Sequence, residues 1–401
     1  MSKFNVIIIT NLYPNPQEPL RGNFVESVMQ NLRTQCDIVV VSPLPWFPRA
    51  SILKRFKNWY KFSQVPFRFT KDGIPVISPK FLALPKMGIL HPVFLFIALL
   101  PVLMRLKRAQ KIDLINAHWL FPDGVAAVWV ARFLRLPIVL SAHGCDINLY
   151  LKTFFRRVQI SGAIKHCRAL TVVSNAQKSI IEELELGYVK MEVVQNGVDQ
   201  EKFSLKEKVV CRKKLNLKSD GKIILFIGQL IEVKGVMYLL EAIKRIKENR
   251  QSNVTLYVVG DGDLRHEVET FVESSGLQEQ VKLCGKRNYD EIPDWIGASD
   301  CLCLASIREG FPCVVVEALS CGRPVVASKV GGIPDLISGK NGFVCQPRDV
   351  EMLALALCRA LEMTWDEKQI RDSVASLTWS KVADKYFRVF QDVVLLKEKG
   401  L

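Results

Sequence analysis

Ten short apolar runs, five in each half of the chain, do most to limit what this sequence can fold into. The first half holds Val6–Ile9, Ile38–Val41, Leu114–Ala117, Ile138–Ser141 and Leu170–Val173. The second holds Ile223–Ile227, Thr255–Val259, Val281–Cys284, Cys301–Leu304 and Pro324–Ala327. These short runs read as buried strands. Helical patterns lie between them, at Phe24–Arg33 and Gly124–Leu134 in the first half and at Val236–Asn249, Leu264–Ser274, Tyr289–Ala298 and Val314–Cys321 in the second. This is the βαβ rhythm of a parallel, doubly wound α/β sheet, and it occurs twice.

Asn196-Gly197-Val198-Asp199 and the charged, strand-poor run from Gln200 to Asp220 separate the halves. A domain boundary is expected there, giving Rossmann-like domains at 1–196 and 197–378. A last helix, about 379–401, could pack back on the first domain. Two such domains joined by one linker are expected to leave a cleft between the C-terminal edges of their sheets, where ligands of open α/β sheets bind.

At 401 residues, 49% of them hydrophobic, the chain has material for two cores. Its eleven cysteines fall mostly in apolar runs such as Cys301-Leu-Cys303-Leu, with no CxxC pair or zinc spacing. Free thiols in core-like positions favour a reducing cytoplasm. The opening Met-Ser-Lys-Phe-Asn-Val-Ile-Ile-Ile-Thr lacks a signal-peptide core and reads as a first strand. The net charge of +15 is lopsided: residues 1–111 carry 16 Lys/Arg against 4 Asp/Glu, a balance of 16 − 4 = +12. Such a basic quarter suggests an anionic partner, nucleic acid or a membrane surface.

The most telling motif is Ser306-Ile-Arg-Glu309-Gly310-Phe311-Pro312-Cys313-Val314-Val315-Val316-Glu317-Ala318. Its two carboxylates bracket a turn and an apolar run that suits a buried element. That pattern suggests a pocket gripping hydroxyl groups, since a carboxylate accepts several hydrogen bonds. The plainer alternative is a helix-start acid with a solvated partner.

Taken with Gly228…Lys234-Gly235, Asn196-Gly-Val-Asp and Val330-Gly331-Gly332-Ile333-Pro334, this motif resembles the retaining GT-B glycosyltransferases of family 4, over almost the whole chain. The entry Asn11-Leu-Tyr-Pro and the stretch His118…Pro122-Asp123-Gly124 are similar to those of bacterial teichuronic-acid and capsule transferases. The resemblance implies an acceptor-side first domain and a nucleotide-sugar-binding second domain. It places Glu309 on the donor sugar and Glu317 on the nucleotide ribose. The backbone N–H groups of Cys313 and Val314 would meet the diphosphate. Gly310 and Phe311 shape the turn, and Arg287 stands near the base. Lys234 would neutralise the leaving diphosphate; otherwise it is a solvated helix-start lysine. The family usually has arginine five residues before this lysine, where this chain has Gln229. Glutamine donates hydrogen bonds but brings neither charge nor guanidinium fork.

In the first domain, Asn11-Leu-Tyr-Pro-Asn-Pro…Arg21-Gly22-Asn23-Phe24 resembles the family's N-terminal loop, with Gly22 where a glycine pair is common. An ordinary Pro-rich turn is the alternative. His143, in Ser141-Ala142-His143-Gly144-Cys145-Asp146, sits where the family histidine faces the donor sugar and phosphate. His118 and Asp123 are acceptor-side candidates. No metal or other cofactor is expected: Asp261-Gly262-Asp263 looks like an acidic metal motif but sits in a GxGxL-like turn.

Residues 46–71 interleave aromatics with Lys/Arg and contain no acid, and Leu90–Met104 is strongly apolar and followed by Arg105, Lys107, Arg108 and Lys111. Fifteen residues with two prolines are too few to span a bilayer, so an in-plane contact with anionic lipid is one expectation. A buried core helix is the other. No recognition motif supports nucleic acid.

The expectation is thus a cytoplasmic retaining glycosyltransferase, peripheral on the inner face of the cell membrane. It would move a sugar from a UDP- or GDP-sugar to a lipid-linked or glycan acceptor in cell-surface polysaccharide assembly. A GT-B phosphorylase and a weakly active or non-catalytic nucleotide-sugar binder are the alternatives; Gln229 is the argument for the latter.

Overall fold

The computed structural model describes residues 3–46, 57–84, 87–248 and 253–398. The chain divides into two units, Met1–Asn196 with Trp379–Leu401 and Gly197–Thr378. In the first, β1 (Phe4–Ile9) leads through α1 (Asn23–Leu32) to β2 (Cys36–Val41), followed by β3 (Leu44–Trp46), α2 (Lys57–Ser63), β4 (Arg68–Lys71), β5 (Ile74–Ile77) and β6 (Lys80–Leu82). Then come α3 (His91–Ala109), β7 (Leu114–His118), α4 (Val125–Leu134), β8 (Ile138–Ser141), α5 (Cys145–Asn148), α6 (Phe154–Lys165), β9 (Ala169–Val172), α7 (Asn175–Glu182) and β10 (Met191–Val193).

Eight of these strands form one sheet, ordered β10-β9-β8-β7-β1-β2-β5-β4. Neighbours are parallel except β4 and β5, a hairpin turned at Asp72-Gly73, both with positive φ. β1 lies between β2 and β7, pairing Val6 with Leu114 and Ile9 with Ala117. Chain order therefore reverses beside β1, and the loops after β1 and β7 emerge side by side. The strand's period of two divides its side chains: Ile7 and Ile9 pack with α3 and α4, Val6 and Ile8 with α1.

The second unit runs α8 (Lys208–Lys214), β11 (Lys222–Ile227), α9 (Val236–Glu248), β12 (Val254–Val259), α10 (Arg265–Ser274), β13 (Val281–Gly285), α11 (Ile292–Ala298), β14 (Cys301–Leu304), α12 (Cys313–Ser320), β15 (Val325–Ser328), β16 (Gly342–Cys345), α13 (Val350–Glu362) and α14 (Glu367–Asp372). Its six-stranded parallel sheet is ordered β13-β12-β11-β14-β15-β16, with the reversal between β11 and β14. The last helix, α15 (Trp379–Glu398), belongs to the first unit, where Val382, Tyr386, Phe390 and Val393 join the core behind Val6 and Ile8.

Each of the ten apolar runs forms a strand, two of them shifted by one residue. The apolar helix is longer than the fifteen residues of Leu90–Met104. A 3₁₀ turn at Gly88–Leu90 runs into α3, giving 22 residues from Gly88 to Ala109, long and apolar enough to cross a membrane by length and composition. Its inner face nevertheless lies in the core, through Leu95, Leu99, Val102 and Leu103. Of the aromatic and basic run 46–71, residues 47–56 fall outside the described residues.

Candidate active site

In the second unit the loops after β11 and β14 are pinned to each other. Gly235 has φ +67, and a Cβ there would stand 1.9 Å from the Ala305 carbonyl oxygen, so only glycine fits the crossing. Beside it the Ile307 N–H donates to the Val233 carbonyl at 2.9 Å. These contacts bring Lys234 Nζ to 2.7 Å from Glu309 Oε1. The Ser306 hydroxyl donates to the same oxygen, also at 2.7 Å. Glu309 is nearly buried, whereas Lys234 keeps a quarter of its side chain exposed. The loop after β15 is tied to the turn that follows Glu309: the Gly332 N–H donates to the Gly310 carbonyl at 2.9 Å.

Glu317 lies in the second turn of α12 and is buried, so it is no solvated partner. The Tyr289 hydroxyl donates to its Oε1 at 2.8 Å. Burial pushes the Glu317 pKa up to about 7, against the pull of Tyr289 and Lys202. Its charged neighbourhood pushes the Tyr289 phenol up as well, after burial itself. Phe311 is buried, and Pro312 caps α12, whose first turn holds Cys313 and Val314 at the positive end of the helix dipole. Gln229 and Arg287 are exposed, and the Arg287 guanidinium sits 5.6 Å from the centre of the Trp295 ring. Asp261 serves the turn it was read into: its Oδ1 accepts from Gly262 N at 2.9 Å.

The first unit assembles a histidine pair. His118 ends β7 and His143 follows β8, and the rings lie within 9° of parallel with His118 Nδ1 2.9 Å from His143 Nε2. One nitrogen donates and the other accepts. Asp146 fixes the loop by accepting from three backbone N–H groups: Gly144 at 2.7 Å, His143 at 3.1 Å and Leu120 at 3.0 Å. Phe24 packs on the His143 ring from α1, and Tyr386 of α15 packs on His118. Burial holds the His143 pKa down, to about 3, and holds that of His118 well below its ordinary value. Both imidazoles are therefore neutral at physiological pH.

The acceptor-side candidates His118 and Asp123 both lie inside the unit. Asp123 stands at the turn before α4, with Asn11 and Arg21 of the loop after β1 nearby, and burial raises its pKa to about 8. Neither of its oxygens makes a well-formed hydrogen bond. Gly22 opens α1 with φ +61, and a Cβ there would stand 2.2 Å from the Leu12 carbonyl oxygen. Its need for glycine thus arises within its own loop. Tyr289, Ser306 and Tyr386 went unread in the sequence. Ser306 had a local signal, three residues before Glu309; the two tyrosines had none.

Two family models match the chain: Glycosyltransferase Family 4 over residues 24–202, and Glycosyl transferases group 1 over 209–374. TuaC of Bacillus subtilis (strain 168), which carries the name of a teichuronic acid biosynthesis glycosyltransferase, is 29% identical over 364 residues, 88% of each chain. The UDP-Gal:alpha-D-GlcNAc-diphosphoundecaprenol alpha-1,3-galactosyltransferase of Escherichia coli is 28% identical over 74% of this chain and 79% of its own. Among solved structures, Anabaena Alr3699/HepE in complex with UDP superposes with a TM-score of 0.70 at 20% identity, covering 97% of this chain and all of the other. That likeness is one of fold.

Proposed function

Because this chain belongs to the GT-B glycosyltransferases, family 4 in its first unit and group 1 in its second, we propose that it is a retaining enzyme moving a sugar from a UDP- or GDP-sugar to a lipid-linked or glycan acceptor in cell-surface polysaccharide assembly. The observation that carries this reading is the Lys234–Glu309 pair, 2.7 Å apart where chain order reverses beside β11. Glu309 accepts from the donor sugar's hydroxyls, Glu317 from the ribose. Lys234 and the N-terminal turn of α12 offset the charge that grows on the diphosphate as the bond to the anomeric carbon breaks. The acceptor hydroxyl attacks that carbon from the same face, through an oxocarbenium-like state. Its proton passes to the departing phosphate oxygen. His143, neutral, donates a hydrogen bond to the sugar or phosphate, and no metal takes part.

Support for UDP comes from the Anabaena complex and from the E. coli enzyme's UDP-Gal; the latter's diphosphoundecaprenol is the model for a lipid-linked acceptor. A lipid-linked acceptor would in turn hold the enzyme on the cytoplasmic face of the membrane. A thermal-shift screen of nucleotides and nucleotide-sugars tests the donor site. Stabilisation by one nucleoside-diphosphate sugar, lost in Glu309→Gln and Glu317→Gln, is expected. Stabilisation that survives both substitutions unchanged would refute the assignment.

A further inference from the structure

We propose that the outer face of α3, joined by the first turns of α6, is a docking surface for an anionic lipid bilayer. This rests on the transferase reading only for its purpose, not for its evidence. α3 is apolar on both sides. Its inner face fills the core, while Val93 and Ile97 point outward at 41% and 61% exposure, with Pro101 beyond them and Leu90 on the turn before. Residues at these spacings share one stripe of a helix. A helix that faces water normally carries charge there. This stripe carries none until Arg105, which Lys107 and Arg108 of the last turn follow.

α6 extends the surface. Gln159 Nε2 donates to the Ile89 carbonyl at 3.3 Å, which ties α6 to the start of α3. Phe154, Phe155 and Val158 then stand 71%, 64% and 55% exposed on its first turns, the two phenyl rings edge to face. Arg156 and Arg157 lie among them. Most of each phenyl ring is thus left open to solvent. Along the flank of α3, Phe67, Val102 and Leu106 line a groove of about 170 Å³ that Arg68 and Arg105 also border. Apolar floor and guanidinium edges match an acyl chain and its phosphate.

Charge complementarity selects the occupant. Residues 38–112 carry thirteen Lys/Arg and one acid, Asp72, which is already paired with Lys71. Among the described residues no salt bridge involves the exposed Arg105, Arg108 or Arg157, so their charge is available to lipid phosphates, whereas Lys107 Nζ donates to the Leu134 carbonyl at 2.6 Å and Arg156 lies over the Tyr150 and Phe121 rings. A contact of this kind lies in the plane of the interface: apolar side chains enter the acyl boundary, and the basic ones meet headgroups.

The test is co-sedimentation of the full chain with vesicles of phosphatidylglycerol and phosphatidylcholine, or of phosphatidylcholine alone. Binding is expected only to the anionic vesicles and should weaken with salt. Phe154→Ser with Phe155→Ser, and separately Arg105→Glu with Arg108→Glu, should each weaken it about tenfold or more. These sites are exposed, so folding is retained, which the melting temperature checks. Lys213→Glu with Lys218→Glu, exposed in the second unit, alters net charge equally and should leave binding intact. Unchanged binding by the phenylalanine variant, equal binding to neutral vesicles, or equal loss in the second-unit control would each overturn the proposal. So would conversion of a dimer to a monomer by the phenylalanine variant without loss of vesicle binding, which would make the face a self-association surface. Donor-induced thermal shift, read on the same preparations, separates failure of this surface from failure of the transferase reading.

Discussion

His118 Nδ1 and His143 Nε2 share a single hydrogen bond of 2.9 Å between two neutral, nearly parallel rings. Whichever nitrogen carries the shared proton fixes the other ends of both rings. If His118 donates, His143 Nδ1 bears a hydrogen and can donate to a ligand; if it accepts, His143 Nδ1 is a bare acceptor. The pair thus couples the end of β7 to the loop after β8.

Removing His143 should therefore lower kcat by about a hundredfold, the usual scale for one aimed hydrogen bond or proton-transfer group. His118→Gln, which keeps a donor and an acceptor, should retain more activity than His118→Leu, with KM for the donor little changed in both. The pKa of about 3 at His143 also predicts that its ring stays uncharged above pH 4. Nitrogen NMR of the labelled imidazoles checks this directly; a histidine titrating near pH 6.5 at position 143 would contradict it.

Lys234→Ala should cost transfer far more than it costs folding. The side chain is partly exposed and is paired with Glu309 at 2.7 Å. A drop of about a hundredfold or more in kcat, with the melting temperature nearly held, is expected from loss of a charge aimed at a leaving diphosphate. A comparable fall in stability and rate would make the lysine structural.

Gln229→Arg tests the departure from the family pattern. Position 229 is exposed, so the longer side chain meets no packing limit. If it lies within reach of the diphosphate, a guanidinium should tighten donor binding about tenfold, through a charge-assisted and bidentate contact. Calorimetric titration with the nucleoside diphosphate reads this.

Two buried carboxyls should shape the dependence of stability on pH. The folded pKa is about 8 at Asp123 and about 7 at Glu317, both above ordinary carboxyl values. The folded state therefore holds protons that the unfolded chain has released. Stability from these groups is fully present near pH 4 and is lost as pH rises through 7 and 8. Asp123→Asn should raise the melting temperature at pH 8 and change it little at pH 4. Glu317→Gln should do the same while weakening nucleotide binding, because the ribose loses an anionic acceptor. A melting temperature that falls at pH 8 in Asp123→Asn would show that the carboxylate is ionised and used there.

Most of the sheet architecture was legible in local pattern. β1, β7, β11 and β14 are apolar runs too short for helices, and each is followed by glycine, proline or a polar turn. Asp72-Gly73 is an equally clear local signal for the β4–β5 hairpin. The α3 boundary was misjudged because hydropathy falls at Arg105 although the helix continues to Ala109, with lysine and arginine favourable in a last turn. In the second unit, Glu309 and Lys234 were legible as candidates. Their mutual contact was not, because it depends on the Gly235–Ala305 crossing between loops seventy residues apart in the chain.

The sequence by itself determined the two α/β domains, the buried strands and the loops that carry the chemistry, since strand period and turn residues are encoded among near neighbours. Only the tertiary structure decided which of those side chains meet. His118 reaches His143 because β7 and β8 pair in a register that sets His118 opposite Ser141. Tyr289 reaches Glu317 across 28 residues. α3 turns one apolar face to the core and leaves the other uncovered. Such contacts depend on strand register and helix rotation, which the packing of the whole unit sets and no local window contains.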